Sequence, residues 1–185
     1  MSRLCRVMLA SVLMLLAAAC RGGRQASPPP GAVGTGTAAA ITATPRGPAE
    51  TARVLRIVDG DTILVLLDGR EERVRYIGVD TPETVAPDRP VECFGTEASA
   101  ANARLVEGQT VRLERDVSER DRFGRLLRYV YAGDVFVNAE LVRAGFATAV
   151  TFPPDVRETA RLRQLERDAR AAKRGLWGAC GASGQ

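Results

Sequence analysis

Four short runs hold residue types that can act on a phosphate. They are Asp59-Gly60-Asp61-Thr62, Arg75-Tyr76-Ile77-Gly78-Val79-Asp80-Thr81-Pro82-Glu83-Thr84, Arg120-Asp121-Arg122-Phe123-Gly124-Arg125, and Asn138 to Gly145. Aspartates near turns and strand ends offer hard oxygen donors of the kind a calcium ion takes. A planar guanidinium offers two parallel N–H groups to one phosphate, which an ammonium cannot. Attack on a phosphodiester builds negative charge around phosphorus, and arginine or a divalent cation can answer that charge. Histidine is absent from the 185 residues. This excludes Ser-His-Asp and Cys-His triads, His-ligated zinc and an imidazole base, so a carboxylate is the base the chain can offer.

Taken singly, these residues also have plain structural meanings. Asp59-Gly60 and Asp68-Gly69 are ordinary hairpin turns. Tyr76 alternates with Arg75 along a strand and reads as barrel packing. Asn138 reads as a helix cap, and Arg161, Arg163, Arg167 and Arg170 as a solvated helix face.

The elements that must position the runs are legible from apolar spacing. Ala52–Val58, Thr62–Leu67 and Val74–Val79 read as three antiparallel strands joined by tight turns. Thr81-Pro82 ends regular structure, and a loop follows to about Phe94. Glu97–Glu107 reads as a helix capped by Thr96 and stopped by Gly108. Thr110–Arg115 and Leu126–Tyr131 read as two more strands. A short helix is expected from Asn138 to Ala144, and a long one from Pro153-Pro154-Asp155 to about Arg174, with Glu166 and Arg170 paired one turn apart. On that helix, Val156, Ala160, Leu162, Leu165, Ala169 and Ala172 mark a rough apolar stripe. The expected fold class is α+β with a mainly β core. It is a five-stranded Greek-key barrel of the oligonucleotide-binding (OB) type, with about three helices packed outside.

The net charge of +4 belongs to the N-terminal quarter. Residues 1–50 hold five arginines and one acid, which leaves 21 basic and 21 acidic residues in 51–185. An anionic partner must therefore meet a local arginine cluster, since no overall basic field exists. Dense charge of mixed sign, 26% of residues, excludes a polytopic membrane protein.

Residues 1–20 read as an export signal. Arg3 and Arg6 precede an apolar core from Val7 to Ala19, too short to span a bilayer. Small residues run into Cys20 as in a bacterial lipoprotein signal, with Cys20 the lipidation site. The other reading is a secretory signal cut near Ala19. In both the protein is exported, and membrane contact is expected only through a lipid anchor. Residues 21–50 hold six glycines, five prolines and seven alanines, and all nine aromatics lie beyond them. They read as a disordered linker. Residues 51–180 then form one folded domain, a monomer, followed by a short tail over 181–185. Cys93 and Cys180 are an even pair in an oxidising compartment and read as a disulfide; two unpaired buried thiols is the other reading.

From about Ala52 to Trp177 the chain resembles the staphylococcal nuclease, or thermonuclease, family of calcium-dependent extracellular nucleases. The Asp-Gly-Asp-Thr turn, the Arg-x-x-Gly-Val-Asp-Thr-Pro-Glu-Thr run and the Asp-x-x-Gly-Arg run occur in the family's order and approximate spacing. The resemblance implies a Ca²⁺ site built from Asp61, Asp80 and the Thr81 carbonyl. It implies that Arg75 and Arg125 grip the scissile phosphate, that Glu83 acts as general base on a water, and that Arg122 and Phe123 contact substrate. The implied reaction cleaves DNA or RNA to 3′-phosphate ends.

The chain also departs from the family. The pocket tyrosines after the second helix are replaced in Val150-Thr151-Phe152-Pro153-Pro154. The tyrosine before the Gly-Arg pair is Phe123, which can stack but cannot donate a hydrogen bond. A non-catalytic nucleic-acid-binding module on the same barrel is the alternative. Such a module would be expected to lack an arginine or aspartate of the set, and none is lacking.

Overall fold

Alternating apolar residues build the sheet. In β1 (Ala49–Asp59), β2 (Thr62–Leu67) and β3 (Arg70–Tyr76), the side chains of Val54, Ile63, Val65, Val74 and Tyr76 are buried, while Arg53, Leu55, Leu66 and Arg73 beside them are exposed. The computed structural model describes residues 48–84 and 90–181. Within them lie β4 (Val79–Asp80), α1 (Gly95–Val106), β5 (Thr110–Glu114), β6 (Leu126–Ala132), β7 (Val135–Phe136), α2 (Val137–Arg143), β8 (Thr148–Ala149), α3 (Thr159–Ala171) and the single turn α4 (Leu176–Ala179). No helix among the described residues is long and apolar enough to cross a membrane.

The strand order β3-β2-β1-β5-β6 closes on itself because β3 also pairs with β6, in parallel, with Val74 opposite Leu126 and Tyr76 opposite Arg128. The result is the expected five-stranded barrel with three helices outside. Closure leaves these five strands without a free edge. The two-residue β4 pairs antiparallel with β8, Asp80 opposite Thr148, and holds the chain that leaves the barrel after Tyr76.

Two buried amides lash the helices to the barrel. Asn138 accepts from the Val130 N–H and donates to the Ile77 carbonyl, both at 2.9 Å. It therefore does not cap α2, whose first residue is Val137. Asn102 on α1 accepts the Tyr76 hydroxyl hydrogen at 2.9 Å and donates to the Asp59 carbonyl at 3.2 Å. Burial is the largest cause of the upward shift of the Tyr76 phenol, so it stays neutral and available as that donor. Behind β6, the Arg128 side chain is 1% exposed and charged. It is matched there by Glu50 and Glu119 and by the carbonyls of Glu119 and Leu127, as a buried guanidinium requires.

Several boundaries differ from the sequence expectation. The linker reaches no further than residue 48, because β1 starts at Ala49 and pairs Glu50 with Leu113 of β5. The third strand runs from Arg70 to Tyr76 and breaks at Gly78, which has a positive φ of 78°. Helix α1 begins at Gly95 after a left-handed Phe94, with no cap from Thr96. The last long helix begins at Thr159, since Asp155 is spent on the backbone N–H groups of Val117 and Ser118. Val156 accordingly stands exposed outside it, and within it Leu162 and Ala169 carry the buried stripe. Arg170 pairs with Glu166 at 3.1 Å, and its guanidinium lies 3.8 Å from the Trp177 ring centroid. The expected signal over 1–20, Cys20, the linker up to residue 47 and the tail over 182–185 lie outside the described residues.

Cys93 and Cys180 form a disulfide that links the start of α1 to the end of α4 across 87 residues. A cross-link over so long a loop contributes about 2–4 kcal/mol, largely by restricting the unfolded chain. Reduction with dithiothreitol is therefore expected to lower the thermal midpoint by roughly 5 °C or more, since a domain of this size moves by a few degrees per kcal/mol. A scan that superimposes on that of the oxidised protein would remove the cross-link from the stability of the fold.

Candidate active site

The end of β1, its turn to β2, the end of β3 and the β4 segment meet at one rim of the barrel. The register forces this meeting: Asp59 pairs with Thr62, and Thr62 with Arg75. The parallel β3–β6 pairing sets Arg75 opposite Leu127, two residues beyond Arg125. A cavity of about 370 Å³ at this rim is lined by Asp61, Arg75, Asp80, Thr81, Glu83 and Arg125, together with Asp59, Arg73 and Phe123. Residues 61, 75, 80, 81, 83 and 125 of the expected set thus border one space.

Arg75 lies at the centre of the charge. Its Nη1 is 2.7 Å from Asp61 Oδ2 and donates to the Val79 carbonyl at 2.8 Å, while Nη2 is 2.7 Å from Asp80 Oδ1. One guanidinium therefore bridges two aspartates. The two ion pairs differ in exposure: the Asp61 side chain is 8% exposed and that of Asp80 58%. The buried pair is the stronger, and the exposed one is weakened by solvent. Burial is the largest influence raising the Asp80 carboxyl above its usual range; Arg75 opposes it and the neighbouring Asp61 charge adds to it.

Asp61 is fixed from a second side, since its Oδ2 accepts the Thr81 N–H at 3.0 Å. The Thr81 hydroxyl is buried without a hydrogen-bond partner. It lies against Gly60, where an added Cβ would come within 2.7 Å of Oγ1, so only glycine permits this approach of the turn to Thr81.

Asp59 and Glu83 form the other carboxylate pair. Burial first, and then the hydrogen bond shared with Glu83, push the Asp59 carboxyl up to about 6, against the pull of the Thr84 hydroxyl and the Gly60 N–H. Glu83 also accepts the Thr84 N–H at 3.1 Å. The expected base is therefore hydrogen-bonded to a second acid.

Arg125 is oriented by its own turn. Asp121 Oδ1 accepts the N–H groups of Phe123 and Arg125, and Oδ2 takes Arg125 Nε at 2.7 Å. Burial works to raise the Asp121 carboxyl, but these hydrogen bonds hold it below the usual carboxylate range. The Nη groups of Arg125 make no hydrogen bond among the described residues, so its outer edge is open to an anion.

Beside this cleft is a second, apolar cavity of about 460 Å³, with Arg75, Phe123 and Arg125 shared between the two. Phe123 is 69% exposed and Phe152 67% exposed, both on its lining. Arg122 is also on it, its guanidinium 4.7 Å from the Phe123 centroid. Rings so exposed next to guanidinium groups can stack a planar base.

Asn102 and Glu92 hold residues of this site, Asp59 and Glu83, without any motif to mark them. For Asn102 the one trace is a polar residue on the apolar face of α1. Glu92 sits in a stretch that reads only as loop.

Several known proteins are similar to this chain in sequence. The sequence profile of the Staphylococcal nuclease homologue family matches residues 73–179. The chain is 43% identical over 128 residues to a Thermonuclease of Staphylococcus hyicus and 41% identical over 128 residues to one of Staphylococcus intermedius; each match covers 69% of this chain and 76% of the relative. It is 38% identical over 128 residues to Endonuclease YncB of Bacillus subtilis (strain 168), over 68% of this chain and 61% of that one. On fold, motif order and these matches, the chain belongs to the staphylococcal nuclease family.

Proposed function

We propose that the protein is a calcium-dependent nuclease that hydrolyses DNA or RNA to 3′-phosphate ends. The observation that carries this reading is the convergence of Asp61, Arg75, Asp80, Glu83 and Arg125 on one cleft. The nuclease names of the relatives support it.

The donor set fits a hard cation. Among the described residues no three acidic or sulfur and imidazole ligands form a cage. Asp61 and Asp80 offer two carboxylates and Thr81 a carbonyl, and these oxygens would hold Ca²⁺, an ion that takes hard oxygen donors. The partnerless buried Thr81 hydroxyl is a further oxygen at the same place. When bound, the ion supplies positive charge that offsets the two aspartates and stabilises charge developing on the phosphate.

The protein's own groups then divide the work. Arg125, with Nε tied to Asp121, offers its open edge to phosphate oxygens. Arg75 can exchange its exposed partner Asp80 for a phosphate oxygen while the buried Asp61 keeps it aligned. Glu83 takes a proton from the attacking water. The water oxygen bonds phosphorus, the P–O5′ bond breaks, and the departing 5′-oxygen takes a proton from a solvent water to leave as a hydroxyl, while Glu83 returns its own proton to solvent. A base next to the scissile phosphate stacks on Phe123 or Phe152. Neither ring has a hydroxyl for a terminal phosphate, so phosphorylated ends gain no preference from them.

Export, with Cys20 acylated as a membrane anchor, completes the proposal. Mass spectrometry of the mature protein is expected to find a lipid-modified Cys20 at the N-terminus; an unmodified end near Ala19 would replace the anchor by secretion. Cleavage of single-stranded and duplex substrates is expected with Ca²⁺ and none with EGTA. Intact substrate under both conditions would favour the binding-module alternative. Arg75→Ala and Arg125→Ala are each expected to lower kcat by about 100- to 1,000-fold, the size of losing one preorganised donor to a transition-state oxyanion. Near-normal turnover in either variant would disprove the phosphate clamp.

A further inference from the structure

The segment that presents Glu83 is gripped from one side by the residues leading into α1. Glu83 N–H donates to Glu92 Oε2 at 3.0 Å, and Glu92 N–H donates back to the Glu83 carbonyl at 3.0 Å. The Gly95 N–H donates to the Glu92 carbonyl, also at 3.0 Å. Gly95 is packed so closely that a Cβ there would lie 3.0 Å from the Glu83 carbonyl oxygen and 3.2 Å from that of Pro82. Between Glu92 and Gly95 stand two anchors. Phe94 stacks on Phe146 with centroids 5.5 Å apart, and Cys93 is joined to Cys180. The C-terminal end of that bond is itself held, because Leu176 N–H donates to the Gly145 carbonyl at 2.9 Å and Cys180 N–H to Leu176 at 3.0 Å.

We infer that Glu92 and the Cys93–Cys180 bond are a positioning device for Glu83, so that turnover depends on the oxidation state of this disulfide. The inference rests on the nuclease reading above. Neither cysteine lines the cleft that Arg75 and Arg125 border. The disulfide acts through Glu92, which fixes the backbone of the expected base at both its N–H and its carbonyl. Cys93 is exposed, so a dithiol can reach it. Reduction breaks the S–S bond, leaves thiols at Cys93 and Cys180, and oxidises the reductant to its own disulfide. The clamp on Glu83 is then left to Phe94 and to the hydrogen bonds alone. Small misplacements of a catalytic group carry large rate penalties.

The experiment uses the full chain and a double-mutant design, at a temperature well below the melting of every variant. Cys93→Ser/Cys180→Ser, Glu92→Ala and the reduced wild type are each expected to lose about tenfold in kcat with KM within twofold of normal, the signature of disturbed alignment rather than lost binding. Glu92→Gln keeps an acceptor for the Glu83 N–H and is expected to restore most of the rate. In a Glu83→Gln background, Glu92→Ala and the serine pair are expected to cause no further loss. A loss of equal size in that background, or a kcat within twofold of wild type when the disulfide is absent, would overturn the inference. Amide hydrogen exchange reads the anchoring without turnover. The Glu83 amide is expected to exchange about tenfold faster in Glu92→Ala and in the reduced protein. If the wild type cleaves no nucleic acid, the nuclease reading fails, and exchange at Glu83 still decides the anchoring: unchanged protection there refutes it.

Discussion

The parallel pairing of β3 with β6 is the constraint on which the site depends. Without it the sheet would remain open, and Arg75, on the edge strand β3, would lie four strand spacings from β6 and the turn that carries Arg125. With it, the guanidinium of one and the turn carrying the other share a wall. Parallel contacts of this kind join distant parts of a chain, so they demand a hydrophobic filling to hold them. Val74, Tyr76 and Leu126 supply it, all almost completely buried. The barrel interior therefore fixes the distance between two charged groups that lie outside it.

Charge within the site is arranged as competition. Two aspartates converge on one arginine, and two further acids share a hydrogen bond beside them. A cluster this acidic cannot remain charged and close without positive partners. Arg75 provides one in the structure, and a divalent cation would provide more. Such a cation would also loosen the hold of Asp80 on Arg75 and release hydrogen-bonding capacity toward a phosphate. Arg125 differs in kind. Its partner Asp121 is local and takes only one edge, so the guanidinium is aimed but unspent.

Much of this was legible in the sequence because it depends on local rules. Strand periods and the Asp-Gly turns place the five barrel strands, and the resemblance carried by the motif runs singles out Asp61, Arg75, Asp80, Glu83 and Arg125. What was hidden depends on contacts between distant residues. Asn138 has the look of a cap, and only the fold shows that Val130 and Ile77 claim its amide. Asp155 looked like the start of a helix, yet loop N–H groups near residue 117 hold its carboxylate. The resemblance implies a phosphate grip for Arg75, and spacing says nothing of the two carboxylates that engage its Nη groups. The hydrogen bonding of Glu83 to Asp59 and to Glu92 is not legible in spacing, since neither partner stands at a strand or helix period from it.

The disulfide has one more consequence, which concerns damage rather than catalysis. A hydrolytic nick anywhere between Cys93 and Cys180 divides the backbone but not the molecule. The stretch so protected contains α1, β5, β6, α2 and α3. Its two fragments remain tethered at a high mutual concentration, and the buried strands that hold them together need not find each other again by diffusion.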